Sequence, residues 1–185
     1  SLDFEYATPH HVLIVCTSPD TEPERQRIRI DVQDVNDNAP RISIFPYGGR
    51  NEVYENRPPG IFVAHISVLD ADSGIAGEVS CQTSSPVFRL EVMYSTEFKL
   101  VTQVSLDREV QREYSVDITC SDYGTPSLTS SSTLPVYVAD LNDNPPVFAK
   151  SRYIFEVDAC APVGTHIGEV QAFDHDEGRN AAVQF

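Results

Sequence analysis

The stretch Asp140-Leu-Asn-Asp-Asn-Pro-Pro146 decides how this 185-residue chain is organised, because it is a second copy of Asp34-Val-Asn-Asp-Asn-Ala-Pro40. Each copy crowds acidic and amide side chains together and ends in proline, which restricts the backbone at the exit. Side-chain oxygen atoms at this density suit a hard cation such as Ca²⁺. The two copies therefore predict two calcium-binding junctions between repeated units.

The rest of the chain repeats with nearly the same spacing. An offset of 104 carries Cys16 to Cys120, and the two junction motifs lie 106 apart. A period of this length matches one small β-sandwich domain per unit, since solenoid repeats are about 20–50 residues long. The same offset relates five further pairs: Asp3 and Asp107, Glu5 and Glu109, Gly60 and Gly164, Asp70 and Asp174, Asp72 and Asp176.

This period predicts three units, of which one is complete. Residues 39–144 form the complete unit, residues 1–38 the C-terminal part of the preceding unit, and residues 145–185 the N-terminal part of the following one. A unit of about 100 residues can bury enough surface for one core. The two end pieces are not expected to fold alone.

Composition indicates an extracellular all-β protein. The chain has 13 Pro and 9 Gly, which favour short strands joined by many turns. Its net charge of −15 argues against nucleic acid or an anionic membrane as a partner. The longest apolar runs are far below the roughly 18 residues needed to span a bilayer, so any membrane anchor is expected in sequence outside this chain.

Alternating apolar residues predict strands. Every second residue is apolar along Tyr114–Cys120, and the pattern recurs along His10–Cys16, so both segments are expected to bury one face. About seven strands and no helix longer than a turn or two predict Greek-key β-sandwiches. The other predicted strands are Glu52–Tyr54, Ile61–Leu69, Glu78–Gln82, Phe88–Val92, Phe98–Thr102 and Leu134–Val138.

Taken together, the order and spacing of these motifs resemble the extracellular repeats of cadherins over essentially the whole chain. The segment 66–81 resembles protocadherins in particular. The resemblance implies a tandem of immunoglobulin-like sandwiches. The motifs that carry it, besides the two junctions, are Tyr54-Glu-Asn56 with Pro59-Gly60, Asp70-Ala-Asp72, Leu106-Asp-Arg-Glu109, Ser121-Asp-Tyr-Gly124 and Asp174-His-Asp176.

The resemblance also implies three calcium ions at each junction, bound from both flanking units. At the first junction the implied ligands are the side chains of Asp3, Glu5, Asp34, Asn36, Asp37, Asp70, Asp72 and Asp122, with the carbonyls of Val35, Asn38 and Ala76. At the second they are the side chains of Glu55, Asp107, Glu109, Asp140, Asn142, Asp143, Asp174 and Asp176, with the carbonyls of Leu141, Asn144 and Asn180.

Electrostatics supports a role for the metal independently of the resemblance. Seven of the second junction's side chains are carboxylates, which repel one another by about 4 kcal/mol per pair at 4 Å and an effective dielectric constant of 20. Calcium would cancel this repulsion. We therefore expect calcium to hold neighbouring units rigidly together.

Three positions depart from the pattern. Ser18 stands where the repeat has Asp122, and Ala159 stands where it has Glu55, so each removes a ligand from a junction outside this chain. Ala76 replaces the family's usual Asn. Because the implied ligand at this position is the main-chain carbonyl, the change of side chain should not remove it.

The acidic motifs allow two other interpretations. Asp70-x-Asp-x-Gly74 suggests an EF-hand loop, but Ile75 and Cys81 stand where that loop needs Gly and Glu. The second alternative is a set of acidic surface loops that bind no metal.

The four cysteines leave the disulfide pattern open. Cys81 and Cys120 could form a cross-strand bond if their strands are neighbours. However, Phe185 occupies the position equivalent to Cys81 in the third unit, so no repeated disulfide framework exists. This favours buried free thiols for Cys16, Cys81 and Cys120, with Cys160 undecided.

No catalytic arrangement is evident, so the chain is not expected to be an enzyme. The resemblance implies calcium-dependent cell–cell adhesion at the extracellular side of the plasma membrane, through contact with cadherin ectodomains on the same or an apposed cell and most simply with copies of itself. The alternative is a structural spacer or mechanical tether that positions distant adhesive domains.

Overall fold

The computed structural model describes residues 2–20 and 22–185, and within them the chain is all-β. A 3₁₀ turn at Tyr47–Gly49 interrupts the strand series early in the middle unit. The strands are β1 His10–Cys16, β2 Glu24–Ile30, β3 Arg41–Pro46, β4 Glu52–Tyr54, β5 Phe62–Leu69, β6 Val79–Thr83, β7 Phe88–Tyr94, β8 Glu97–Thr102, β9 Glu113–Asp122, β10 Thr129–Ala139, β11 Val147–Phe148 and β12 Ala172–Phe173.

Two four-stranded sheets form the middle unit. One has the order β4-β10-β9-β6 and the other the order β3-β5-β8-β7; neighbours run antiparallel except for the parallel pair β4 and β10. Their facing sides share one core, in which Ile66 and Leu100 of one sheet and Ile118 and Val136 of the other are fully buried. The predicted all-β Greek-key sandwich is confirmed.

The alternating pattern of β9 accounts for its place in the core. Val116, Ile118 and Cys120 are buried, whereas Ser115 and Asp117 face solvent. This is the orientation that the sequence pattern predicts, because successive side chains of a strand point to opposite faces.

β10 begins earlier than the sequence suggested. Residues 129–133 belong to the strand, although their Ser and Thr content is typical of an exposed loop. Cross-strand hydroxyl pairs join them to β9, with Ser121 to Thr129 at 2.8 Å and Thr119 to Ser131 at 3.0 Å. These pairs let a polar segment extend the sheet.

The flanking pieces form small sheets of their own. β1 pairs with β2, and β11 pairs with β12. Val12 and Ile14 of β1 are 43% and 44% exposed, so the prediction that His10–Cys16 buries one face is wrong for this structure. A two-stranded sheet alone offers no second layer against which those side chains can pack.

The preference for buried free thiols is wrong for Cys81 and Cys120, which are bonded to each other, and for Cys16 it is wrong only about burial. Cys81 and Cys120 lie directly opposite each other on β6 and β9 and form a disulfide, with their Cα atoms 4.1 Å apart. Cys16 and Cys160 are free but exposed. The inference failed because the pairing depends on strand register within one unit and needs no counterpart in the next.

Motif residues collect at the two ends of the sandwich. The loop after β5 and the loop after β9 lie at the end that meets residues 34–40. The exit of β4 and the turn at 107–111 lie at the opposite end, where residues 140–146 begin. Each linker is thus held between loops. None of the helical segments in residues 2–20 and 22–185 has the length and apolarity to cross a bilayer.

Candidate metal centres

Hydrogen bonds hold the first linker against the loop that follows β5. Asp72 is 6% exposed and accepts bonds from the backbone N–H of Asn38 at 3.2 Å and from its side-chain amide at 2.8 Å. Asp34 accepts bonds from the N–H and hydroxyl of Ser73 at 2.6 and 2.5 Å. Asp34 and Asp72 are both predicted metal ligands, so these hydrogen bonds fix the positions of their carboxylates at the first junction.

Three carboxylates from different segments meet at this first junction. Oxygen atoms of Glu5, Asp34 and Asp72 all lie within 4.8 Å of one another. Glu5 comes from the preceding unit, Asp34 from the linker and Asp72 from the middle unit. A cation among them would join all three segments.

The loop after β9 completes this end. Asp122 is 3% exposed and accepts the N–H groups of Gly124 and Leu128, each at 3.0 Å. The side-chain amide of Asn36 donates to the carbonyl of Pro126 at 2.5 Å. A Cβ atom on Gly124 would overlap the Asn36 side chain, so this glycine admits the linker. The motif Ser121–Gly124 contains this glycine, but the sequence pattern alone predicts no role for it.

Several buried oxygen atoms at the first junction accept no hydrogen bond from the part of the chain that the structure describes. They belong to acidic and amide side chains that the sequence assigned to the metal site. Buried oxygen atoms of this kind normally have a donor or a cation as partner, so this donor set fits Ca²⁺, which binds oxygen ligands. The atoms are Asp34 Oδ1, Asn36 Oδ1, Asp70 Oδ2 and Asp122 Oδ2.

Glu55 organises the second junction. Its side chain is fully buried and accepts the N–H of Arg108 at 2.8 Å and the N–H of Leu141 at 2.7 Å. Oxygen atoms of Glu55, Asp107 and Glu109 lie within 4.8 Å of one another. Asp107 and Glu109 lie in a turn, in which the Gln111 N–H donates to the Asp107 carbonyl at 3.0 Å.

The second linker repeats the geometry of the first. Asp176 accepts bonds from the N–H of Asn144 at 3.3 and 3.4 Å and from its side-chain amide at 2.9 Å. Oxygen atoms of Glu109, Asp140 and Asp176 lie within 4.8 Å of one another. The middle unit, the linker and the following unit therefore each contribute one carboxylate.

Burial and neighbouring charges shift the pKa values of these groups in opposite directions. Burial, followed by repulsion from Glu55, raises the pKa of the Glu109 carboxyl. Burial also opposes ionisation of Asp140, but hydrogen bonds from Asn180 and Glu177 and the charge of Arg108 outweigh it and lower that pKa. A divalent cation would favour the ionised form of both groups.

The structure brings together eight predicted ligands in three carboxylate groups. Asn56, which sequence reasoning quoted only as part of a motif, contacts Asp143 from a left-handed backbone conformation (φ 55°). Asparagine is one of the residues that adopt this conformation most readily, so its presence at this position was the sequence feature that could have indicated a role for Asn56. The predicted ligands outside the three groups are Asp3, Val35, Asn36, Asp37, Asn38, Asp70, Ala76, Asp122, Leu141, Asn142, Asp143, Asn144, Asp174 and Asn180.

Comparison with known proteins gives concordant matches. The cadherin-domain family model matches residues 50–139. Human protocadherin gamma-B7 is 37% identical over 185 residues, covering 100% of this chain and 20% of that protein. Mouse protocadherin 18 is 40% identical over 172 residues, covering 90% of this chain and 15% of that protein. The chain thus spans about a fifth or less of the length of these relatives.

Solved structures agree with the sequence relatives. A crystal structure of the protocadherin gammaB4 extracellular domain superposes with a TM-score of 0.87 at 34% identity, covering 98% of this chain and 29% of that one. Extracellular cadherin domains 3–6 of protocadherin gamma B2 give a TM-score of 0.85 at 34% identity, covering 97% and 42%. The cis-dimer structure of protocadherin gammaB7 EC3–6 gives 0.82 at 37% identity, covering 98% and 43%.

Cadherin domains bind calcium, and proteins of this family act in adhesion rather than as enzymes. The sandwich, the two acidic junctions and these matches agree on one assignment. The chain therefore belongs to the cadherin superfamily, within which it is similar to the protocadherins.

Proposed function

We propose that this chain is part of an adhesive ectodomain whose two junctions bind Ca²⁺ and hold successive cadherin repeats in a fixed arrangement. The observation that carries the proposal is the meeting of carboxylates from three segments at each junction. Because one group at each junction combines carboxylates from a linker and both flanking units, a bound cation there would join parts of the protein that otherwise repel one another.

The boundaries of the proposed repeats follow the linkers. Residues 39–144 are the complete repeat, which is consistent with the shared core of the two four-stranded sheets. Residues 1–38 are assigned to the preceding repeat and residues 145–185 to the following one. The hydrogen bonds between each linker and the loops beside it support these boundaries.

The ligand sets are those that the sequence motifs imply at each junction. Glu5, Asp34 and Asp72 form the centre of the first set, and the orphaned buried oxygen atoms of Asp70 and Asp122 support their inclusion. For the second set, the support comes from the two overlapping carboxylate groups that share Glu109. The main-chain ligands belong to the proposal on the strength of the motif alone.

The proposed function is calcium-dependent cell–cell adhesion through contact with other cadherin ectodomains, with copies of the same protein as the first partner to test. The matched protocadherin ectodomains support this assignment, and one of them is a cis-dimer. The extracellular side of the plasma membrane is the corresponding location, because the cadherin ectodomains that the chain matches are extracellular parts of membrane proteins.

A cell-aggregation assay tests the adhesive role. Cells expressing the full-length protein should aggregate in calcium and disperse in EGTA. Replacing Asp72 and Asp176 with Asn should weaken aggregation, whereas the same change at exposed Asp117 should not. Equal aggregation of all variants with and without calcium would refute the proposal.

The spacer role gives a different result in the same assay. A protein that lacks residues 39–144 would aggregate normally if the repeat only positions other domains. Loss of aggregation with retained surface expression would support a direct contribution of this repeat to recognition.

A further inference from the structure

Arg108 lies almost completely buried among the acids of the second junction, with 1% of its side chain exposed. Its Nε donates to Asp140 Oδ1 at 2.7 Å, and its two terminal nitrogens lie 2.9 Å from Glu109 Oε1 and 3.4 Å from Glu177 Oε2. It also donates to the carbonyl of His175 at 3.1 Å. One guanidinium thus connects the turn at 107–111 of the middle unit, the linker, and the loop that follows β12 in the following unit.

The first junction has no arginine at the equivalent position, where the offset of 104 places Phe4. The backbone turn around this position is the same in both units. The Ala7 N–H donates to the Asp3 carbonyl at 3.2 Å, as the Gln111 N–H does to the Asp107 carbonyl at 3.0 Å. The two junctions therefore share a scaffold and differ in the side chain that the turn presents.

The acid that Arg108 binds also has a counterpart with a different partner. Asp140 Oδ2 accepts the N–H of Glu177 at 3.1 Å, and Asp34 Oδ2 accepts the N–H of Ser73 at 2.6 Å. The other oxygen of Asp140 binds Arg108, whereas the other oxygen of Asp34 is buried and accepts no bond from residues 2–20 and 22–185. The two junctions therefore differ in whether this oxygen atom has a cationic partner.

We propose that Arg108 is a resident cation that ties the second junction together without metal, and that the first junction, with Phe4 in its place, has no cation of its own and is held by hydrogen bonds alone until an external cation binds. A guanidinium suits this role because it is always charged and presents several donors in one plane to separate acceptors. A phenylalanine supplies neither charge nor donors. The two ends of the same repeat would then respond differently to calcium.

The consequence for calcium rests on the proposed function, but the arginine tether itself does not. In calcium-free solution the second linker should stay attached to the following unit more firmly than the first linker stays attached to the middle unit. Calcium would therefore change the rigidity of the first junction more than that of the second.

Hydrogen exchange of the 185-residue chain in EGTA tests the tether, because amide protection reports local opening. Peptides covering 140–146 and 174–180 should exchange at least about tenfold more slowly than those covering 34–40 and 70–76, the ratio expected for an opening that must break charge-assisted hydrogen bonds. Arg108→Met should remove this difference. The reciprocal variant Phe4→Arg should slow exchange at the first junction.

Protection of β9 serves as the internal measure of folding in every variant. If Arg108→Met loses that protection as well, the comparison of the two junctions in the unmodified chain and in Phe4→Arg decides the question. Equal exchange at both junctions in EGTA, or no slowing in Phe4→Arg, would overturn the tether. Adding calcium is the separate test of the proposed function, which fails if neither junction gains protection.

Discussion

The buried carboxylate of Glu55 accepts the backbone N–H of Leu141 at 2.7 Å, although 86 residues separate them in sequence. Its other oxygen accepts the N–H of Arg108 at 2.8 Å. The Glu55 side chain, at the exit of β4, thus fixes both the turn at 107–111 and the start of the second linker. The same two bonds therefore connect the fold of the repeat to the positions of the proposed calcium ligands.

Replacing Glu55 with Ala should destabilise the repeat by about 2–4 kcal/mol in calcium-free solution. The buried Arg108 N–H and the partly buried Leu141 N–H lose their acceptor, at about 1–3 kcal/mol each, and relief of repulsion with Glu109 offsets part of this loss. Urea unfolding in EGTA measures the change. The control is Glu113→Ala at an exposed position of β9; equal losses for both variants would contradict the role of the two bonds.

Calcium should raise the melting temperature of the chain. A site that binds only the folded state adds about 2.7 kcal/mol when free calcium is 100 times its dissociation constant. Thermal unfolding in millimolar CaCl₂ and in EGTA at equal ionic strength gives the difference. Limited proteolysis should in parallel cleave residues 34–40 faster in EGTA. Identical melting and cleavage in the two buffers would exclude calcium binding at these junctions.

The two junctions should bind calcium independently of each other. Asp72→Asn should remove binding at the first junction and Asp176→Asn at the second, because each replaces a buried carboxylate that belongs to one carboxylate group only. Calorimetric titration should show a lower stoichiometry for each variant, and the double variant should show the sum of the two losses. A single substitution that abolishes all binding would mean that the sites are coupled through the repeat.

Removing the disulfide should destabilise the middle unit. The Cys81–Cys120 bond closes a loop of 39 residues, for which the chain-entropy relation gives about 4 kcal/mol. Denaturant unfolding of the Cys81→Ala, Cys120→Ala double variant measures the loss. Cys16→Ala with Cys160→Ala is the control, since both of these thiols are exposed and free. If reduction of the unmodified chain leaves its stability unchanged, the disulfide contributes nothing.

Gly124→Ala should loosen the first linker without unfolding the repeat. The added methyl group overlaps the Asn36 side chain, which must move away from the Pro126 carbonyl. We expect weaker calcium binding at the first junction, by about tenfold if one hydrogen bond of about 1.4 kcal/mol is lost, and unchanged binding at the second. Ser80→Ala, at an exposed position of β6, is the matched control. Unchanged affinity at the first junction would show that the linker tolerates the displacement.

The predictions from sequence that the structure confirms are those that depend on residues close together in the chain. The alternation along β9 depends on residues close together in sequence, and the structure places it as predicted. The paired motifs at 34–40 and 140–146 are equally local in sequence and contact loops at the two ends of the sandwich. The start of β10 could not be predicted this way, because the Ser and Thr residues at 129–133 become a strand only when β9 supplies their partners.

The sequence by itself determined the sandwich fold, the family and the positions of the acidic motifs, because repeated spacing and alternation are properties of the chain alone. Only the tertiary structure decided that Cys81 faces Cys120, that Gly124 admits Asn36, and that Arg108 enters the acidic junction. Strand register and loop contacts bring these partners together across 32 to 90 residues of sequence. Such contacts depend on how the two sheets and the linkers pack, and no local pattern of residues specifies that packing.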